Sequence, residues 1–198
     1  MRLRILLASS NAGKLHEYRE LSAGAALDIV LLPHFETFPE FDESAPTFAE
    51  NSAGKALHYS RYSDEIVLAD DSGLVVPALG GAPGVRSARY AGPHASAADR
   101  VARLLREMSG KTSDERRARF VCVISIARQG RAVAIVSDKA EGFIATEPRG
   151  TNGFGYDPVF LFPSRRRTYA EVTSCEKNAA SHRGKAFQRL LDVLTLSK

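Results

Sequence analysis

Leu3-Arg4-Ile5-Leu6-Leu7-Ala8-Ser9-Ser10-Asn11-Ala12-Gly13-Lys14 begins as a nearly continuous apolar run and breaks into a small polar turn. A short apolar run without alternation is the pattern of a strand covered on both faces. From Gly13 onward the period changes: Leu15, Tyr18 and Leu21 recur at helical spacing, and Gly24 stands where a C-terminal cap belongs. A buried strand feeding a tight turn and a helix points to an α/β architecture.

Outward from that unit the alternation continues. Ile29 to Leu32 reads as a second strand, and Thr47 with Glu50 forms a capping box that opens a helix running to about Tyr62. Ile66 to Ala69 reads as a third strand ending on Asp70 and Asp71. Ser72 to Gly92 is rich in Gly and Pro, which predicts a long loop with a short extended piece at Leu74 to Val76. A loop of that length in a small domain is usually functional. Val101, Leu104, Leu105 and Met108 predict an amphipathic helix closed by Gly110. Phe120 to Ala127, the Gln129-Gly130 turn and Arg131 to Ser137 predict a hairpin. A second Gly-rich stretch, Gly150 to Pro158, precedes a last helix with Phe187, Leu190, Leu191 and Leu194 on one face. Without repeats or low-complexity segments, the reading is one α/β domain over residues 1–198 built on a mixed sheet flanked by helices.

Composition narrows the functional classes. The 198 residues are 44% apolar, enough for a substantial core, and the formal charge of +4 comes from interspersed charges of both signs. That mild excess suits an anionic ligand and is also the ordinary surface of a globular protein. Cys122 and Cys175 form no CxxC pair and no metal-ligand spacing, so a reduced, cytoplasmic setting is expected. The apolar start is shorter than a secretory h-region, and no stretch approaches the roughly 20 apolar residues of a membrane span.

Chemistry-bearing residues gather at the turns. Ser9 to Lys14 presents first-turn backbone N–H groups and a cation, the geometry of a phosphate cradle, although the Walker pattern is absent. A lysine there opposes the helix macrodipole, so an anion should sit beside it; the alternative is a solvated first-turn lysine. Asp70 and Asp71 close a strand at the carboxyl edge of a sheet, where open α/β proteins bind ligands. If the strand stays extended they point to opposite faces. One can then bind metal or activate water while the other meets a lysine. Asp71 is the expected metal carboxylate, because the adjacent turn gives it freedom; the alternative reading of Asp-Asp-Ser-Gly is turn chemistry alone. Lys55 lies one helical turn after Asn51, and Glu43 and Glu50 flank the start of that helix. Mg²⁺ bridging phosphates takes one or two protein carboxylates, so Asp71 with Glu43 suffices, leaving Glu50 to the capping box. Phe154 and Tyr156, between Gly153 and Gly155 and before Asp157, offer flat faces for a nucleobase or plug the core. Ser181-His182-Arg183 opens the last helix with Lys177 just upstream, either a site or a surface pair.

With these segments laid out, the chain closely resembles the inosine triphosphate pyrophosphatase family, which removes non-standard purine nucleotides from the precursor pool. The resemblance rests, in order, on Ser9 to Lys14, on Thr47 to Asn51 with Lys55, on Ala69 to Leu74, on Gly80 to Val85 with Ser87 to Tyr90, on Gly153 to Pro158, and on Ser181 to Gly184. Asn152 stands where many relatives carry Gly. The resemblance implies an elongated fold of two lobes around a long mixed sheet, the site in the cleft between them, and usually a homodimer. It implies that Ser9, Ser10, Asn11, Ala12, Gly13 and Lys14 hold the triphosphate, that Asp71 is general base and metal ligand, and that Ser72 touches substrate. Phe154, Gly155, Tyr156, Asp157, Lys177, His182 and Arg183 would hold base and sugar. The expected reaction converts ITP, dITP or XTP to monophosphate and pyrophosphate, with Lys14 and Lys55 neutralising phosphate oxygens. The rivals are a Maf-like pyrophosphatase for other modified nucleotides and a non-catalytic nucleotide or RNA binder. The binder leaves Asp70, Asp71 and Glu43 beside phosphate without a purpose, so neither nucleic acid nor membrane is an expected partner.

Overall fold

The computed structural model describes residues 2–162, 164 and 166–196. Its strands are β1 (Leu3–Leu7), β2 (Leu27–Leu31), β3 (Ile66–Val75), β4 (Arg117–Arg128), β5 (Arg131–Ile144), β6 (Phe160–Phe162) and β7 (Arg167–Thr168). The helices are α1 (Ala12–Ser22), α2 (Phe48–Tyr59), α3 (Ala97–Glu107), α4 (Ser174–Asn178) and α5 (His182–Leu196). The strands form one mixed sheet in the order β2-β1-β3-β4-β5-β6-β7. β1 runs parallel to β2 and β3, whereas β5, β6 and β7 pair antiparallel. The α/β class with a mixed sheet is therefore as expected. Among the described residues no helix is long and apolar enough to cross a membrane.

The chain divides into two compact units, one of Met1–Asp71, Cys122–Asp138 and Arg183–Lys198, the other of Ser72–Val121 and Lys139–His182. In the first unit the apolar run of β1 is buried on both faces, and alternate residues serve different cores. Ile5 and Leu7 pack with Ile29, Leu68, Tyr18 and Phe187, while Leu6 and Ala8 pack with Val67, Ala69, Ala56 and Tyr59. Helices α1 and α5 cover the first face and α2 the second. Each large aliphatic side chain so enclosed contributes about 1.5–3 kcal/mol, which is why a strand of this composition sits inside the sheet. In the second unit Leu74, Val76, Phe120, Phe160 and Tyr169 enclose Val101 and Leu104 of α3 and Met108 just after it.

Several elements differ from the sequence reading. β3 does not end at Asp70-Asp71 but runs on through Ser72, Gly73 and Leu74 to Val75. Both aspartates find partners on the helices of their own face, so neither needs a turn to reach solvent, and the freedom expected for Asp71 from an adjacent turn is absent. The expected loop carries 3₁₀ turns at Pro77–Leu79 and Gly84–Arg89 and is tied down by Ser87, whose Oγ accepts from the Leu74 N–H at 2.9 Å. α2 stops at Tyr59, and a 3₁₀ turn at Ser60–Tyr62 supplies the remainder. The β4–β5 hairpin turns at Gln129-Gly130 as expected but is longer at both ends.

Candidate active site

Because β3 stays extended, its residues alternate between the two covered faces of the first unit. Leu68 and Asp70 point toward α1 and α5; Ala69 and Asp71 point toward α2. The two adjacent carboxylates thus face opposite ways, as the sequence reading required of an extended strand.

Asp70 sits in a closed set of charges. Lys14 Nζ lies 2.9 Å from Asp70 Oδ1 and donates to the Asp70 carbonyl at 3.2 Å. Arg183 donates to Asp70 Oδ2 from Nη2 at 3.1 Å and Nε at 3.3 Å, and its Nη1 donates to Glu17. Asp70, Glu17 and Arg183 are all buried. Two carboxylates and two cations leave the set neutral, the condition for tolerating charge in the interior. Burial alone would raise the Asp70 pKa; Lys14 and then Arg183 outweigh it and hold the carboxyl well below the usual range. The anion that Lys14 called for at a helix N-terminus is therefore supplied by the protein. At the start of α1, Asn11 accepts from the Lys14 N–H at 3.2 Å and Ser9 Oγ accepts from the Asn11 N–H at 3.1 Å. Ser10, Asn11 and Ala12 are exposed, and Gly13 is half-buried.

Asp71 has a different setting. It is 8% exposed, and Asn51 of α2 donates from Nδ2 to its Oδ2 at 3.1 Å. Lys55, one turn further along α2, lies 2.5 Å from Glu43. Burial chiefly, with the charges of Glu43 and Asp70, pushes Asp71 up to about 6 against the pull of Lys14 and the Asn51 amide. A carboxyl with that pKa serves well as a general base near neutrality. α2 itself is pinned by Ser52, whose Oγ lies 3.1 Å from the carbonyls of Ala69 and Val123 and 2.9 Å from Ser125 Oγ. Glu50 bonds Thr47 at the helix start, as the capping reading had it. Among the described residues no three His, Cys, Asp or Glu side chains converge on a metal-sized site; Asp71 and Glu43 are a pair.

The second unit holds the aromatic loop. Asp157 Oδ2 accepts from the Phe154 N–H at 2.8 Å and lies 2.5 Å from Lys177 Nζ, with both charged groups buried. The ammonium stands 5.0 Å from the Phe154 ring centroid, within cation–π range. Gly153, at φ +73°, passes so close to the Asp157 carboxylate that a Cβ there would collide with it. Phe154 and Gly155 are half-buried, but Tyr156 is 4% exposed and its hydroxyl donates to the Ser87 carbonyl at 3.0 Å. Tyr156 follows the core-plug alternative. His182 is also buried, its ring stacked on Phe120 at 4.6 Å. Ser72 is half-buried in β3.

Sequence reasoning missed Glu17 and the contacts of Asn51. Glu17 had a readable signal: an acidic residue flanked by Leu15 and Tyr18 on the inward stripe of a helix needs a cation. In the sequence Asn51 stands out only beside Lys55 and within the Thr47–Asn51 segment, because a side-chain amide has no charge to balance.

A family model described as the Ham1 family matches residues 5–193. A dITP/XTP pyrophosphatase of Geobacillus kaustophilus is 48% identical over 186 residues, covering 94% of this chain and 91% of that one. The solved structure of a HAM1 protein from Coxiella burnetii superposes with a TM-score of 0.86 at 43% identity, covering 98% of each chain. That of the Staphylococcus aureus Ham1 protein gives 0.86 at 34% identity, covering 98% of this chain and 100% of that one.

Proposed function

The chain belongs to the Ham1 family, and from that premise we propose that it hydrolyses non-standard purine nucleoside triphosphates of the dITP and XTP type to monophosphate and pyrophosphate. The observation that carries the chemistry is the contrast on β3: Asp70 is neutralised by Lys14 and Arg183, while Asp71 is raised to about 6 beside Glu43.

In this reading Asp71 takes the proton from a water that attacks the α-phosphorus in line, and pyrophosphate departs with the electron pair of the broken P–O bond. Lys14 and Lys55 neutralise phosphate oxygens, with the N–H groups of Ser9 to Gly13 cradling them. Little covalent work falls to the protein; positioning and charge stabilisation carry the rate. The donor set suits Mg²⁺, since Asp71 and Glu43 are hard oxygen ligands in the number this ion ordinarily takes from a protein. Bound there, the ion would neutralise charge on the phosphates. In the second unit, Phe154 offers a half-buried ring for the purine and Lys177, with His182, a donor for a 6-oxo group. A 6-amino group would set donor against donor, leaving buried groups unpaired, a penalty able to give large selectivity. Arg183, bonded to Glu17 and Asp70, contributes as the cation that balances Asp70. The same reading expects a cytoplasmic homodimer, and two free cysteines accord with a reducing compartment.

The test is incubation of the purified protein with ITP, XTP, dITP, ATP and GTP, with and without Mg²⁺, with products resolved by chromatography. Magnesium-dependent conversion of the first three to monophosphate plus pyrophosphate, sparing ATP and GTP, is the expected result. Diphosphate and orthophosphate as products would put the attack at the wrong phosphorus, and no turnover of any nucleotide would remove the enzymatic reading.

A further inference from the structure

We propose that Asn51 is a positioning residue that clips the segment bearing Glu43 to Asp71, so that the two carboxylates act as one ligand pair only while this amide is in place. The inference rests on the reading of Asp71 and Glu43 given above and deepens it.

The amide of Asn51 makes three hydrogen bonds that run in two directions. Its Oδ1 accepts from the Ala45 N–H at 3.0 Å, and its Nδ2 donates to the Ala45 carbonyl at 3.2 Å. The same Nδ2 donates its second hydrogen to Asp71 Oδ2 at 3.1 Å. Both hydrogens and the carbonyl oxygen of the side chain are therefore in use, and the residue is 1% exposed. The first two bonds copy the pairing a neighbouring strand would make with Ala45. Residues 39–46 lie outside helix and strand and have no ladder of their own, so this side chain stands in for one. Glu43 is two residues from the clipped Ala45, and the third bond leads to Asp71.

The support beneath Asn51 is rigid. It lies one turn inside α2, whose first turn is capped by Thr47, and the next residue is Ser52, fixed against the carbonyls of Ala69 and Val123. The Lys55–Glu43 ion pair also holds Glu43, but it acts on the side chain rather than on the backbone of residues 43–46. The Asn51 amide, by contrast, bonds the Ala45 backbone and the strand carboxylate together. In the absence of a cation two carboxylates repel each other, and the amide, bonded to Ala45 on one side and Asp71 on the other, is placed to hold their segments together.

The test combines amide hydrogen exchange at Ala45 with a magnesium titration of dITP hydrolysis. In Asn51→Ala the Ala45 amide should exchange at least about tenfold faster than in the parent, while amides in the later turns of α2 stay within about twofold, which also certifies folding. The Mg²⁺ concentration for half-maximal rate should rise about tenfold or more, whereas KM for dITP at saturating Mg²⁺ should change less than about twofold, a split that general loss of packing would not produce. Ala45→Pro removes the same N–H from the loop side without touching the buried residue, and should raise the magnesium midpoint in the same direction by a smaller factor. Unchanged Ala45 exchange in Asn51→Ala overturns the clip. So does an unchanged magnesium midpoint in both variants. Should the parent hydrolyse no nucleotide, the catalytic reading fails, and the exchange measurement still decides whether Asn51 tethers the segment.

Discussion

Asp70 and Asp71 are neighbours in one strand, and both are almost wholly buried, yet they live under opposite regimes. On the α1/α5 face Asp70 meets Lys14 and Arg183, which itself meets Glu17, and the four charges cancel. On the α2 face Asp71 meets a neutral amide and feels the like charge of Glu43. The first arrangement stores nothing, because every buried charge has its counter-charge. The second is unfavourable by itself and becomes favourable when a cation or a proton arrives. A strand's twofold alternation is enough to separate the two regimes across a distance of one residue.

The largest effect expected from breaking the contrast is at Asp71. Asp71→Asn removes the base while keeping shape and hydrogen bonding, so kcat should fall by about 10³-fold or more in a steady-state assay. Stability should move the other way. The Asp71 pKa is raised to about 6 from the ordinary value of 3.8, so its neutral form is favoured in the native state. That contribution is fully present below the unfolded value and is lost as pH rises through about 6. Above that pH the parent carries the full burden of a buried charge that Asn lacks. Without magnesium, Asp71→Asn should therefore be more stable than the parent by about 1–3 kcal/mol at neutral pH, the gap closing toward pH 4. Thermal unfolding of both proteins across that range checks the sign, and a destabilised variant at neutral pH would sink the account of Asp71.

Asp70→Asn should shift stability in the opposite direction. It leaves Lys14 and Arg183 facing a neutral amide in the interior, which destabilises by about 3–5 kcal/mol when one partner of a buried ion set is removed. Asp70 in the parent is held below its ordinary range, so its contribution is present above the unfolded value of 3.8 and fades as pH falls below it. Urea unfolding at neutral pH measures the loss. A change under about 1 kcal/mol would show that the charges of this face are carried by solvent rather than by one another.

Much of this contrast was legible before any coordinates. The unalternating run Leu3 to Ala8 announced a strand covered on both faces, the Thr47–Glu50 pair announced the start of α2, and two aspartates in an extended segment had to point apart. What stayed hidden was the continuation of β3. Gly73 and the glycines and prolines beyond it read locally as punctuation, and only tertiary partners on both faces keep the segment extended. The protein's own partner of Lys14 was hidden as well, because a sequence shows that a cation needs an anion without showing that Asp70, 56 residues away, arrives beside it. Tyr156 looked like Phe154 in composition, and burial against the chain at Ser87 distinguishes them. Glu17 and Asn51 are tertiary facts of the same kind.

The smallest effect concerns what keeps the Asp71 face in register with the sheet. Ser52 and Ser125 are both fully buried and share a hydroxyl contact at 2.9 Å, with Ser52 also beside the carbonyls of Ala69 and Val123. Removing one hydroxyl leaves the other buried without its partner, so Ser52→Ala should lose about 1–2 kcal/mol, and Ser125→Ala a similar or smaller amount. Removing both takes away the orphan together with the bond, so the double variant should lose less than the sum of the singles. A double-mutant cycle from chemical unfolding would return that coupling, about 0.5–1 kcal/mol. The cycle discriminates between two ways of holding α2. If the hydroxyl pair is the pin, coupling appears, and kcat falls modestly with it because Asn51 is the neighbouring residue on the helix. If apolar packing of Ala56 and Tyr59 alone holds α2, the two losses add and kcat stays at the parent value, which would shift the registration of Asp71's partners from the serines to the core beneath them.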